Sequence, residues 1–486
     1  MPRVSRRMAL IAAAGFAVAA GATTAGLALM RSSGSETRSG APNIVLILTD
    51  DQRWDTLRAM PAVQRLLVQR GVTFENGFVV NSLCCPSRAS ILTGQYSHST
   101  GVYLNGGPNG GFQAFRDGST IATWLDGAGY ETGLFGKYLN RYGNTYVPPG
   151  WDRWFAFSGH GERARPAPYF DYYVNDDGEL VRFRKADEDY STDVLARQAV
   201  DFVNGADAPF FLYFSTTAPH RPAVPPPRYA TTPQISGLGL PPWRPQNYNE
   251  ADVSDKPGWI RRLPRLNVAQ SAETDDLRRN QYGTIRAVDD AVREIVQALE
   301  DTRELENTLI LFMSDNGESW GEHRWTRKSL AYEENIRVPF VVRWDARIAE
   351  PGTDDHLVAN IDVAPTFAAA AGVQAPGAEG KSILPLLRGT PGAWRDDFLV
   401  EHLQLAGDSE GAAAPGYCAV RSTRFLYAAY ATREEELYDL ARDPFQLENV
   451  SAERGYARDL ESLRKRLLTL CNPPPPGLDF GWLEPG

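Results

Sequence analysis

A chain of 486 residues, 43% hydrophobic and 23% charged, has the make-up of an ordinary globular enzyme and room for one large α/β domain plus a smaller unit. Its net charge of −10 excludes function through non-specific attraction to nucleic acid or an anionic membrane, so any anionic ligand must be met by local cations. Four cysteines are too few for a disulfide scaffold, although Cys418 and Cys471 could bridge in an exported protein.

Residues 1–40 read as a targeting segment and linker. Arg3, Arg6 and Arg7 precede an apolar or small stretch from Met8 to Met30, followed by polar residues from Arg31 to Gly40. Ser5-Arg6-Arg7 with Leu10 looks like a twin-arginine export signal. No clear A-x-A cleavage site follows, so a retained membrane anchor stands as the second reading behind cleaved export. Membrane contact is expected only in that second case.

A catalytic α/β domain is expected over residues 41–390. It opens with Asn43-Ile44-Val45-Leu46-Ile47-Leu48-Thr49-Asp50-Asp51, a continuous apolar run ending in two carboxylates, as a strand buried on both faces would be written. Similar runs lie at Phe210 to Ser215, Thr308 to Ser314 and Val338 to Arg343. Between them, Thr120 to Gly127, Thr192 to Val203 and Asp275 to Leu299 read as helices. In the last, Tyr282, Ile285, Val288, Val292, Ile295 and Leu299 recur at steps of three or four and define one apolar face. The alternation implies a mainly parallel sheet with helices on both sides.

Residues 221–271 are rich in Pro, Arg and Asn without periodicity, the mark of disorder or of a functional loop over a site. Residues 391–486 read as a smaller α+β unit with a Pro-rich tail. Its strands are expected at Phe398 to His402, Tyr417 to Ser422, Phe425 to Tyr430 and Glu436 to Leu440, and its closing helix at Arg454 to Leu470.

Two groups of residues carry chemistry. In Cys84-Cys85-Pro86-Ser87-Arg88 a thiol stands at the mouth of an expected helix beside a fixed cation, where the helix dipole and the guanidinium both favour an anion. A packed Cys pair is the plainer meaning of that run taken alone. Asp50 and Asp51 end one core strand, and Asp315-Asn316-Gly317 follows another, at the sheet edge where α/β sites are built. Carboxylates and an amide oxygen suit calcium or magnesium better than zinc. Either motif alone is more often a turn or a helix cap.

Taken together these motifs resemble the type I sulfatases, which oxidise a cysteine to formylglycine. The resemblance runs from Pro42 to about Pro474. It rests on N-I-V-L-I-L-T-D-D-Q at 43–52, C-C-P-S-R-A-S-I-L-T-G at 84–94, G-K-Y-L-N at 136–140 and A-P-H at 218–220. S-D-N-G at 314–317, K-S-L-A-Y-E at 328–333 and A-N-I-D-V-A-P-T at 359–366 complete it. It implies an alkaline-phosphatase-like fold, with a large mixed sheet flanked by helices and a smaller C-terminal α+β subdomain. It also implies one calcium ion, preferred over magnesium, on Asp50, Asp51, Asp315, Asn316 and the formylglycine formed from Cys84 by a formylglycine-generating enzyme.

In the family the hydrated aldehyde offers one hydroxyl to sulfur, and its second hydroxyl then expels sulfate. The resemblance makes Arg88 the holder of the formylglycine and its metal environment, Lys137 a sulfate-binding lysine, His220 the leaving-group acid and Lys328 a contact to sulfate or the bridging oxygen. Many sulfatases carry a His two residues after the lysine of the G-K motif, where this chain has Leu139, so the base for sulfate release is unassigned. Asn140 or a His from elsewhere could touch the hydrate.

The same departure, with G-K-Y-L-N-R-Y-G at 136–143 and V-P-P-G-W-D-R-W at 147–154, resembles the N-acetylglucosamine-6-sulfatase branch. The expected substrate is therefore a 6-O-sulfated glucosamine unit of a sulfated glycan. A phosphodiester or phosphonate monoester hydrolase on the same fold, or a catalytically silent glycan-binding protein, are the alternatives.

Overall fold

The apolar run after Pro42 forms the strand Asn43–Asp50, and all of it is buried. It lies near the middle of a ten-stranded sheet. In spatial order the strands are Gly352–Asp354, Val72–Phe74, Phe340–Arg343, Thr308–Ser314, Asn43–Asp50, Phe210–Pro219, Glu131–Gly136, Arg153–Phe157, Tyr172–Asp176 and Glu179–Phe183. From Thr308–Ser314 across to Arg153–Phe157 neighbours run parallel. Phe340–Arg343 on one flank and the Tyr172–Asp176 and Glu179–Phe183 pair on the other run antiparallel to their neighbours. The sheet is thus mixed, with its parallel part at the centre. The computed structural model describes residues 40–159, 168–207, 209–230, 243–348, 350–404 and 414–484.

Both faces of the central strands are covered. Ile44, Leu46 and Leu48 join Leu92, Ile121 and Phe367 from the helices Cys84–Thr93, Ile121–Asp126 and Val363–Ala371. Val45 and Ile47 join Leu195, Val288 and Ile295 from Ser191–Gly205 and Val268–Asp301 on the other side. Each fully buried aliphatic side chain contributes roughly 1.5–3 kcal/mol, which is why these strands are apolar throughout rather than alternating.

The long helix starts at Val268, ahead of the expected Asp275. Asn267 accepts from the Gln270 amide while the Gln270 side chain accepts from the Asn267 amide, a reciprocal cap that the apolar stripe does not reveal. Val268 itself is 88% exposed, so the first turns carry no core signal. The strand expected from Val338 begins at Phe340, after Pro339, which has no amide to give a ladder.

The aperiodic stretch expected over 221–271 is ordered where it is described. Trp259 packs edge-on against Trp325, ring centroids 5.6 Å apart, and Trp243 donates to Glu322. Arg324 donates to the carbonyls of Glu250, Ala251 and Leu263. Residues 231–242 lie outside the described residues.

After Asp397 the chain forms a four-stranded antiparallel sheet in sequence order: Asp397–His402, Tyr417–Ser422, Phe425–Tyr430 and Glu435–Asp439. The helix Ala457–Leu470 lays Leu460, Leu463 and Leu467 on it. Cys418 and Cys471 form a disulfide, Cα atoms 6.3 Å apart, and Phe480 and Leu483 fold the Pro-rich tail onto the same core. Among the described residues no helix is long and apolar enough to cross a membrane. The expected export segment, up to residue 39, lies outside the described residues.

Candidate active site

The site lies where the parallel strands end. Asp50 closes its strand with an irregular register between Leu48 and Asp50, and Asp51 follows at φ 65°, a left-handed conformation uncommon for a residue with a Cβ. Close backbone approach shapes two neighbouring loops. A Cβ at Gly136 would stand 1.7 Å from the Ser215 carbonyl oxygen, and one at Gly317 would stand 2.1 Å from that of Glu334. Only glycine lets the G-K and D-N-G turns bring Lys137 and Asn316 to the same edge.

Leu83 is the extended residue before the helix Cys84–Thr93, so Cys84 occupies its first position with its side chain buried. The Cys84 sulfur lies 3.5 Å from Asp50 Oδ1, 3.9 Å from Asp51 Oδ1 and 2.7 Å from Lys328 Nζ. Lys328 also donates to Asp51 Oδ1 at 2.7 Å, and Lys137 donates to Asp50 Oδ2 at 2.5 Å. His220 Nε2 stands 3.6 Å from Asp51 Oδ2. Asp50, Asp51, Cys84 and His220 each offer a donor atom within 4.8 Å of the others.

Arg88 pairs with carboxylates: its Nη2 stands 3.7 Å from Asp50 Oδ2. Its Nε donates to Asp315 Oδ2 at 2.7 Å, and its Nη1 donates to Ser215 Oγ at 2.7 Å and the Lys137 carbonyl at 3.0 Å. Asp315 Oδ1 accepts from the Asp51 amide at 3.1 Å. Asn316 donates through Nδ2 to Asp51 Oδ1 at 2.6 Å, while its Oδ1 is buried with no partner among the described residues. An orphaned amide oxygen beside two buried carboxylates fits a hard divalent cation, which would complete what the protein leaves unpaired.

Electrostatics follow from this packing. Burial alone would raise the carboxyls of Asp50 and Asp51. Lys137, His220 and Arg88 outweigh it for Asp50, and Lys328 and His220 do so for Asp51, so both are held below the usual carboxylate range. The Cys84 thiol behaves otherwise than expected from a helix N-terminus beside an arginine. Burial and then Asp50 push it well above its ordinary value against the pull of Lys137 and Lys328, and Arg88 is committed to Asp315. An unmodified thiol here is a poor nucleophile at neutral pH. Cys85 packs in the core under the helix, its thiol pushed up to about 12 by burial.

All the expected site residues, Asp50, Asp51, Cys84, Arg88, Lys137, His220, Asp315, Asn316 and Lys328, thus meet in one cluster. Leu139 is buried in the core, and the Asn140 carbonyl accepts from the Phe112 amide. Among the described residues, His220 is the histidine whose ring joins the Cys84 cluster. Sequence reasoning missed Ser215, Arg221 and Glu318. Ser215 ends an apolar run and carries no polar pattern, whereas Arg221 and Glu318 stand beside motif residues and could have been found by adjacency.

The family profile described as Sulfatase matches residues 42–373. The chain belongs to the sulfatase family. A second profile, N-sulphoglucosamine sulphohydrolase, C-terminal, matches residues 321–472. The N-acetylglucosamine-6-sulfatase of Capra hircus is 33% identical over 472 residues, covering 86% of this chain and 81% of that protein. The extracellular sulfatase SULF-1 homolog of Drosophila melanogaster is 34% identical over 383 residues, and the putative Sulf-1 homolog of Caenorhabditis elegans is 33% identical over 382. These cover 75% and 74% of this chain, which spans only 33% and 52% of the two longer relatives.

Among solved structures, a protein in complex with its substrate D-glucosamine-2-N,6-O-disulfate superposes with a TM-score of 0.77 at 26% identity over 89% of this chain and 98% of that one. The phosphonate monoester hydrolase of Agrobacterium radiobacter shares the fold at a TM-score of 0.71 and 24% identity, covering 89% and 95%. Membership of the family implies a divalent metal and a formylglycine, and the buried cluster of Asp50, Asp51, Cys84 and His220 could hold a metal ion.

Proposed function

We propose that this sulfatase hydrolyses sulfate esters of glycans, in particular the 6-O-sulfate of N-acetylglucosamine units. The observation that carries the reading is Cys84 at the first position of a buried helix, held among Asp50, Asp51 and Lys328 beside the orphaned Asn316 oxygen. Similarity to N-acetylglucosamine-6-sulfatases and to the glucosamine-disulfate complex supports the substrate class.

Asp50, Asp51, Asp315, Asn316 and the group at position 84 would hold one calcium ion, whose tolerance of several oxygen donors suits this set better than magnesium's strict octahedron. When present, the cation withdraws charge from the sulfate oxygens, and the formylglycine made from Cys84 by a formylglycine-generating enzyme supplies the hydroxyl nucleophile. The remaining work falls to this chain's own side chains. Lys137 and Lys328 place ammonium groups where sulfate oxygens would sit, each already drawn to a carboxylate. Arg88 holds the Asp315 carboxylate and the backbone of Lys137 in place. His220 presents Nε2 toward the cluster, in position to protonate the departing sugar oxygen.

Export by a twin-arginine-type signal is consistent with a modification made before crossing. The test is mass spectrometry of the tryptic peptide Gly71–Arg88 from the native host, together with sulfate release from N-acetylglucosamine-6-sulfate. An aldehyde at position 84 with release of sulfate is expected. A free thiol there removes the mechanism, and faster turnover of a phenyl phosphonate than of 4-nitrophenyl sulfate favours the phosphonate hydrolase alternative.

A further inference from the structure

Beside His220 stands a residue that none of the expected roles uses. The His220 Nδ1 donates to the Arg221 carbonyl oxygen, 2.6 Å away, since a carbonyl only accepts; Nε2 is turned to the cluster, and the proton that a leaving-group acid gives up is the second one, carried there by the imidazolium. The Tyr169 hydroxyl donates to the His220 carbonyl at 2.6 Å. The position of the ring therefore depends on where the backbone of residue 221 is held.

The Arg221 side chain fixes that backbone to two other segments. Its Nε donates to Glu318 Oε1, and its Nη2 donates to the Thr326 carbonyl. Glu318 lies two residues beyond Asn316, and Thr326 two residues before Lys328, so a single guanidinium ties the A-P-H turn to the metal-ligand loop and the lysine loop. Glu318 is itself fixed: its Oε2 accepts from Gln281 Nε2, whose Oε1 accepts from Trp320 Nε1 at 2.6 Å, and its carbonyl accepts from Arg53 at 3.0 Å. Only 3% of the Glu318 side chain is exposed against 35% of that of Arg221, so the carboxylate is the buried anchor and the arginine reaches it from the edge of the site.

We infer that Arg221 and Glu318 form a positioning pair that aims His220 Nε2 at the leaving oxygen. Neither touches the reacting atoms. The planar guanidinium, held at Nε by Glu318 and at Nη2 by the Thr326 carbonyl, supplies direction that a flexible lysine cannot. The inference rests on His220 acting as leaving-group acid, so the experiment must separate the two claims.

The fully modified enzyme is assayed on two probes: N-acetylglucosamine-6-sulfate, whose alkoxide needs a proton to leave, and 4-nitrophenyl sulfate, whose phenolate does not. Arg221→Met and Glu318→Gln should lower kcat on the sugar sulfate by about 10- to 100-fold with KM little changed, since misplacing a reacting group costs on that order. On the aryl sulfate the loss should stay below about threefold, because a general acid adds little to a leaving group of low pKa. Arg221→Lys should recover only part of the sugar activity. His220→Ala should show the same selectivity, more strongly.

If His220→Ala loses both substrates equally, the acid role fails and the inference falls with it. If His220→Ala discriminates while Arg221→Met and Glu318→Gln do not, the positioning pair alone is overturned. A rise in KM at constant kcat in Arg221→Met also overturns it, by making Arg221 a substrate contact. Should Arg221→Met not fold, Glu318→Gln reads the same contact from the other side.

Discussion

The centre of the large sheet and the C-terminal sheet solve the same burial problem in different ways. In the first, strands covered by helices on both faces end together, and their last residues converge on a cluster of buried charge. In the second, a meander of antiparallel strands gains a covering helix on one face and a disulfide to hold it. Parallel strands bring every carboxyl end to one edge, which is where chemistry can be assembled, whereas a meander alternates its ends and suits support. The C-terminal unit does support: Arg421 pairs with Glu333 at 2.7 Å, and Glu436 accepts from Tyr332 at 2.7 Å, both on the segment that follows Lys328.

The comparison can be broken most severely at position 84. Cys84→Ala should abolish sulfate release while Cys85→Ala, in the core beneath it, keeps much of it. Equal losses in initial-rate assays would mean that the nucleophile has been misassigned.

Next in size is the metal. Dialysis against a chelator should remove activity and lower the melting temperature, restored by calcium, because ligand bound only to the folded state stabilises it. Asp51→Asn should cut kcat by about 10²- to 10³-fold, the scale of losing one preorganised electrostatic group, and should blunt the melting shift seen on adding calcium. An unchanged calcium response in that variant would take Asp51 out of the ligand set.

On the supporting side, Cys471→Ser opens a loop with a sequence separation of 53, worth on the order of 4 kcal/mol on the chain-entropy account. It should lower the melting temperature and leave kcat unchanged. A loss of kcat without a loss of stability would show that the C-terminal unit does more than brace the site.

The smallest effect concerns acid stability. Burial lowers the His402 pKa to about 4, below its unfolded value near 6.5. Between these values the unfolded chain takes up the proton first, so stability falls as pH drops from about 6.5 to about 4, by on the order of 3 kcal/mol. His402→Phe should flatten that stretch of the melting-temperature profile. An unaltered slope would place the acid sensitivity in other groups, the depressed carboxyls of Asp50 and Asp51 foremost.

Much of this was legible in the sequence, for stateable reasons. Strands covered on both faces must be apolar throughout, so Asn43–Asp50 and Thr308–Ser314 declared themselves. Val72–Phe74 and Gly352–Asp354, the last two strands on one side of the sheet, are three residues each and carry no such run, and the long helix opens on a polar cap that its apolar stripe cannot mark. Arg221 and Glu318 were invisible as a pair because they are 97 residues apart and each alone reads as a solvated charge.

What the chain determined by itself is the inventory: a thiol at a helix start, carboxylates at strand ends, a lysine after a glycine-shaped turn, and the order in which they come. Residue types and local periodicity settle those, since they depend on neighbours a few positions away. Only the tertiary structure decided that Arg88 pairs with Asp315 and Asp50 and that burial raises Cys84 instead of activating it. It also tied Arg221, the neighbour of His220, to Glu318. Those are matters of desolvation and of distances between segments hundreds of residues apart, and they exist only once the sheet has brought the strand ends together.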